Sequence, residues 1–335
     1  MLERLRKELR APDLSLLRLR HQPVPRPRHR VPFSFAVKAG FFLFGVPEHA
    51  FCTIDVTNRC NIRCDHCYFF EQDYDGELTL EAWQALFDRL RAEAGPRRYW
   101  AYQASYVGGE PLVRKDVIDL GRRYFPYNIV VTNGSIPLPD WPEVHFWFSV
   151  DGTADIHDSI RNKPGLYRRM KKHADRPDLN TMVTMCINRR NRDVVEDVIR
   201  EWNRDTCVRH ILFEFHTPIA GLRENDELWL PLGERDQVLD ILLALKEVYG
   251  DFILPPARTY RMMKSDRCRP LTDDCLYSRV APSLGPDGTR KEPCMLGPKA
   301  DCNGCGCIVP FLTRAQQERG DIMIDLTRNA LRWLT

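Results

Sequence analysis

The sequence predicts an α/β fold: a partial barrel of six β/α units, followed by a small loop-rich extension dense in cysteine. Three observations lead there. Six short runs of β-branched and aromatic residues recur between residues 51 and 215, helical patterns separate them, and the alternation stops near residue 255. Parallel strands need crossover helices, so this alternation argues for a parallel sheet. Such a sheet, open or closed, does its work at the C-terminal ends of its strands.

The predicted strands are 51–57, 102–107, 128–132, 144–150, 181–187 and 210–215. In 79–92, Trp83, Leu86, Phe87 and Leu90 recur at helical spacing behind a Thr79 N-cap. Val194, Val195, Val198, Ile199 and Trp202 mark a second helix over 192–202. Val238, Ile241, Leu242, Leu245 and Val248 mark a third over 233–249, closed by Gly250. Weaker helical patterns cover 115–125 and 165–173. The whole reads as a TIM-like partial (β/α)6 barrel over 51–254, preceded by a basic leader and apolar segment (1–50) and followed by a cysteine-rich region (255–335).

At 335 residues, 43% hydrophobic and 28% charged, the composition is that of an ordinary folded protein. No run of eighteen apolar residues appears, and MLERLRKELR lacks the apolar core of a secretory signal. A cytoplasmic location is expected. The net charge of +3 conceals an asymmetry, because residues 1–31 hold nine Lys/Arg against Glu3, Glu8 and Asp13. By charge alone that leader suits membrane headgroups or nucleic acid. It reads either as a solvated leader or as an interfacial segment that contacts a membrane through 1–45 together with the strongly apolar thirteen-residue stretch 33–45, which otherwise reads as a buried helix. No nucleic-acid partner is expected for the chain as a whole.

Three of the twelve cysteines stand within eight residues, Cys60-Asn-Ile-Arg-Cys64-Asp-His-Cys67, directly after the first strand. Three thiolates can hold three corners of an iron–sulfur cube and leave the fourth iron open. Structural zinc wants four closed ligands, and no fourth is nearby. At the end of the second strand stand Gly108-Gly109-Glu110-Pro111, where glycines allow a close backbone approach to a ligand and a carboxylate can accept from an ammonium.

This CxxxCxxC loop followed by GGEP resembles the radical S-adenosylmethionine (SAM) superfamily over about 51–216. The resemblance implies a [4Fe–4S] cluster on Cys60, Cys64 and Cys67, with SAM chelating the open iron. One-electron cleavage of SAM then gives methionine and a 5′-deoxyadenosyl radical. It further implies a SAM pocket made by His66, Gly108, Gly109, Glu110, Ser149 (in Ser149-Val-Asp151-Gly152) and Arg161 (in His157-Asp158-Ser-Ile-Arg161), and a reducing electron donor of the flavodoxin or ferredoxin class. For Arg161 a surface ion pair with Asp155 or Asp158 is an equal alternative. Thr132-Asn133-Gly134 resembles the family's TNG turn. Cys52, Cys186 and Cys207 read as buried small hydrophobes. Tyr106, Asp55 and His216 are further candidates to meet substrate. Strand alternation puts Trp147, Ser149 and Asp151 on one face, and Glu214 and His216 on one face of the last strand, without saying which face is inner.

Cys268, Cys275, Cys294, Cys302, Cys305 and Cys307 crowd the end of the chain. Their density resembles the SPASM or twitch extensions of the superfamily, which implies one auxiliary [4Fe–4S] cluster on four of the six, with zinc as the alternative. Cys268-Arg-Pro and Pro293-Cys294-Met-Leu also resemble lipid-acting members of the adenosyl-hopene transferase type. The first functional reading is radical chemistry, by hydrogen abstraction or addition, on a lipid- or isoprenoid-like substrate. A SPASM-type peptide maturase or a small natural-product tailoring enzyme is the alternative. A non-catalytic iron–sulfur or zinc protein is the reading from another class.

Overall fold

A computed structural model describes residue 49 and residues 51–74, 76–95 and 99–318. The expectations for the basic leader and for the apolar segment 33–45 fall outside these residues.

Each of the six sequence runs forms a strand: β1 Phe51–Asp55, β2 Gln103–Val107, β3 Tyr127–Thr132, β4 His145–Val150, β5 Asn180–Ile187 and β6 Ile211–Phe215. Short strands β7 (Ile253–Leu254), β8 (Ser283–Leu284) and β9 (Arg290–Lys291) extend the sheet. Its order is β7-β6-β5-β4-β3-β2-β1-β8-β9, and every pairing is parallel except β8 with β9. The sheet is therefore an open partial barrel.

The crossover helices are α1 (Leu80–Glu93), α2 (Lys115–Gly121), α3 (Ala154–Ile160), α4 (Leu166–Ala174), α5 (Val195–Asp205) and α6 (Leu232–Tyr249). On α1 the predicted stripe is the buried one, and the Thr79 hydroxyl accepts from Ala82 N at 3.2 Å. The α6 stripe is rotated from the expectation. Ile241 and Val248 are exposed, while Arg235, Val238, Leu239, Leu242 and Lys246 are buried. Arg235 explains the rotation: its guanidinium donates to four backbone carbonyls, which satisfies a buried cation. The core lies between helices and sheet, around Trp83, Phe87, Phe146, Phe148, Trp202 and Phe213. Each fully buried phenylalanine stabilises the fold by roughly 1.5–3 kcal/mol.

The C-terminal region is less irregular than its sequence suggests. It carries α7 (Ala257–Met262), α8 (Cys268–Asp273), α9 (Leu276–Val280) and α10 (Val309–Gln317). It is also pinned to the barrel, since β8 pairs with β1 and the buried Lys291 ammonium donates to Asp55 Oδ2 at 2.6 Å. Tyr74 adds a hydroxyl to Asp55 at 3.0 Å.

Candidate active site

The cysteine loop leaves β1 at Val56 and is held on two sides. Gly109 N donates to Thr57 O and Glu110 N to Arg59 O, both at 2.9 Å. A Cβ on Gly109 would lie 2.1 Å from Arg59 O, and one on Gly108 would lie 2.6 Å from Thr57 O. The glycine pair thus also serves the approach of two loops, beside its place on the cavity wall. On the other side, Asp65 N donates to Ile160 O (2.9 Å) and the Asn162 amide to Arg63 O (3.0 Å). Asn133 of the TNG turn reaches the same loop, donating to Asn61 Oδ1 at 3.0 Å and to Cys60 Sγ at 3.7 Å.

Inside the barrel lies a cavity of about 320 Å³, the size of a small-molecule site. Cys60, Cys64, Cys67, His66, Gly108, Gly109, Ser149 and Arg161 all line it. Glu110 does not. It is fully buried behind the wall and accepts from Leu112 N, the Thr132 hydroxyl and Asn133 N. In that position it braces the ends of β2 and β3.

Arg161 is buried and pairs with Asp151 at 2.6 Å, not with Asp155 or Asp158. Asp158 instead accepts from Gly165 N and Tyr167 N, capping α4. His66 Nε2 stands 3.5 Å from Asp151 Oδ2. Burial alone would raise the Asp151 carboxyl, but Arg161, His66 and His157 hold it below the usual carboxylate range. Burial, with Arg161 nearby, pushes His157 down to about 3. Its neutral Nδ1 accepts from Asp151 N at 3.1 Å. Burial pushes the free Cys64 thiol up to about 12, so a cluster bound there displaces protons.

The wall carries polar atoms that no protein group satisfies: Asp151 Oδ1, His66 Nδ1 and Trp147 Nε1. Buried polar groups are ordinarily paired, so these orphans fit a polar ligand. Together with three thiols on one loop, they fit a thiolate-bound cluster and an amino-acid-bearing cofactor.

Alternation holds on β4, where Trp147, Ser149 and Asp151 all face the cavity. On β6 the structure decides the open question: Leu212, Glu214 and His216 line the cavity. Burial pushes the Glu214 carboxyl up to about 7. His216 pairs with Asp226 at 2.8 Å and borders a second cavity of about 290 Å³ that shares His66, Cys67, Tyr68 and Leu296 with the first. Two other candidates face away. Tyr106 is buried against Gly121 and bonded to Asn128, and Asp55 is committed to Lys291 and Tyr74. Cys52 is a buried hydrophobe as expected, whereas Cys186 is on the cavity wall. That position was readable only once Glu214 was known to face inward.

Of the six C-terminal cysteines, Cys275, Cys294, Cys302 and Cys305 each lie within electrostatic reach of the other three. Cys268 stands apart beside Arg235 and Asp236, and Cys307 lines the cavity beside Glu214. Among the described residues, no three His, Cys, Asp or Glu side chains converge tightly enough for a single metal ion.

No family model matches the chain. It is 27% identical over 164 residues to the sporulation killing factor maturation protein SkfB of Bacillus subtilis, covering 45% of this chain and 38% of that protein. It is 27% identical over 210 residues to the Fe-coproporphyrin III synthase of Methanosarcina barkeri, covering 56% of this chain and 49% of that one. The chain thus spans half or less of the length of these curated relatives. The fold superposes on native anSMEcpe with bound AdoMet at a TM-score of 0.57, with 15% identity and coverage of 80% and 82%. On Streptococcus suis SuiB bound to S-adenosylmethionine the TM-score is 0.56, with 9% identity and coverage of 77% and 63%. Among the described residues no helix is long and apolar enough to cross a membrane. The shared fold, the relatives and the three-thiol loop lining the cavity agree in one likeness: the chain is similar to the radical SAM superfamily and, within it, to SPASM-type maturases.

Proposed function

We propose that the chain is a radical SAM enzyme in which Cys60, Cys64 and Cys67 hold the [4Fe–4S] cluster and His66, Gly108, Gly109, Ser149 and Arg161 form the SAM pocket, with Glu110 bracing the wall behind them. Bound together and reduced by a flavodoxin- or ferredoxin-class donor, these cofactors supply methionine and a 5′-deoxyadenosyl radical. The observation that carries the reading is the single cavity joining the three thiols to the glycine turn and to Ser149 and Arg161. Asp151 keeps Arg161 charged and oriented, and the backbone bond from Asp151 to His157 fixes the turn that presents both. Buried walls around the thiols exclude water from a reactive intermediate. Cys275, Cys294, Cys302 and Cys305 are the proposed ligands of one auxiliary cluster.

For the substrate, the lower wall of the cavity favours an apolar lipid- or isoprenoid-like chain. The lining runs from Gly109 back to Gln103 along β2, about 20 Å at the rise of a strand, and ends among Phe51, Leu212, Tyr277 and Leu312. Peripheral membrane contact through 1–45 belongs to the same reading. A second reading, a peptide maturase, is favoured by the relatives, whose names include a killing-factor maturation protein and a PqqA peptide cyclase.

Anaerobic reconstitution, reduction with dithionite and addition of SAM should yield 5′-deoxyadenosine. Its absence at full iron content would sink the enzymatic reading. Flotation with anionic liposomes separates the substrate readings, because the lipid version expects binding that is lost on deleting 1–45.

A further inference from the structure

One patch of the cavity wall carries two thiols and a carboxyl that neither the three-thiol loop nor the SAM pocket uses. Cys186 on β5 and Glu214 on β6 are register partners, and both line the cavity. Cys307 reaches the same patch from the C-terminal region. Phe215 N donates to Gly306 O at 2.8 Å, and Gly306 N donates to the Thr217 hydroxyl at 2.9 Å. A Cβ on Gly306 would lie 2.2 Å from Phe215 O, so glycine is what lets this segment lie along the strand end and set residue 307 beside Glu214. The Cys307 thiol and the backbone of Ile308 stand beside the Glu214 carboxyl on this wall. On its other side, Cys186 is within electrostatic reach of Asp151 and Arg161, and Asp151 Oδ1 on the same wall has no protein partner. Cys186 therefore stands beside the Asp151–Arg161 pair of the proposed SAM pocket, and Cys307 beside Glu214 on the same wall.

Resting on the radical reading above, we propose that Cys186 and Cys307, flanking Glu214, form a hydrogen-donor station for carbon radicals in the cavity. A thiol S–H bond is weaker than the C–H bond that a carbon radical gains from it, so the transfer runs downhill. The S–H bond breaks homolytically, the carbon takes the hydrogen atom, and a sulfur-centred radical remains. One electron from the flavodoxin- or ferredoxin-class donor and one proton passed through the Glu214 carboxyl restore the thiol, and Glu214 regains its proton from solvent. The reaction completed this way leaves hydrogen from solvent on the product carbon.

The test needs no substrate. Reconstituted full-length protein is exchanged into D2O, reduced with dithionite and given SAM alone, and the 5′-deoxyadenosine formed is read by mass spectrometry. The expected result is one deuterium in most molecules from the wild type, and a several-fold lower deuterated fraction from C186S/C307S, since a hydroxyl is a much poorer hydrogen-atom donor. Two readouts are independent of turnover. Iron content in C186S/C307S should equal that of the wild type, and iodoacetamide should alkylate Cys186 and Cys307 in the cluster-loaded protein ahead of Cys60, Cys64 and Cys67. Undeuterated product from the wild type, an unchanged fraction in the double variant, or iron lost from C307S overturns the proposal. If the wild type makes no 5′-deoxyadenosine at all, the underlying radical reading fails, and protection of both thiols from alkylation then overturns the donor station as well.

Discussion

Two regions of this chain are dense in cysteine, and they differ in how each is built. The 60–67 loop places three thiols on one turn and borrows its rigidity from neighbours: the Gly108–Glu110 turn, the end of α3 and Asn133. The C-terminal region collects thiols from residues 275 to 305 and ties itself to the barrel through Lys291, Arg235 and Gly306. In the first, the thiols are gathered locally and spacing reveals it. In the second, the thiols are gathered by tertiary folding, and spacing conceals it.

The largest expected effect separates the two directly. Cys60/Cys64/Cys67→Ala should abolish 5′-deoxyadenosine formation and remove about four iron atoms per chain. Cys275/Cys294/Cys302/Cys305→Ala should remove a similar amount while leaving 5′-deoxyadenosine detectable. Iron and sulfide assays with product chromatography check both, and equal loss of product in the two variants would break the comparison.

Buried charge gives the next contrast. Arg161→Leu leaves the Asp151 carboxylate buried without its partner, which should cost about 3–5 kcal/mol in urea unfolding. Arg223→Leu, which breaks the partly exposed pair with Asp301, should cost no more than about 1 kcal/mol.

Acid should also act through the barrel side. Because His157 is held down to about 3 in the folded protein, the unfolded chain binds its proton first, from about pH 6.5 downward. Asp151 is shifted down as well, and its contribution is lost only at lower pH, as the pH falls through and below the ordinary carboxylate range. Thermal midpoints should therefore fall as pH drops from 7 to 5, and His157→Gln should flatten the slope. A slope unchanged in that variant would exclude His157 as the cause.

Smaller steric effects follow. Gly109→Ala forces a Cβ onto Arg59 O and should cost about 1–3 kcal/mol and lower the iron content of the first site. Gly304→Ala meets side chains rather than backbone, the ring of Pro218 at 2.8 Å and Arg223 Nε at 3.3 Å, and should cost less. Differential scanning fluorimetry on the two variants would rank them.

Legibility followed the range of the interaction. The strands β1–β6 and the α1 stripe were readable because alternation and 3.6-residue periodicity are local. The α6 face was misread because a buried arginine, bonded to carbonyls of distant loops, sits where periodicity expects a hydrophobe. Arg161 was readable as a functional side chain, yet its partner was not, since Asp151 lies ten residues back across a turn. Glu110 was readable as a motif, while its three protein donors come from two different strand ends.

By itself the sequence determined the α/β alternation, the thiol triad after β1 and the glycine turn after β2, because each is written in contiguous residues. Only the tertiary structure decided that Glu214 and Cys186 face the interior, that Cys307 joins them, and that Cys275, Cys294, Cys302 and Cys305 come within electrostatic reach of one another. The physical reason is that side chains drawn from separate elements meet only after the sheet has fixed its order and register, and no spacing along the chain encodes that meeting.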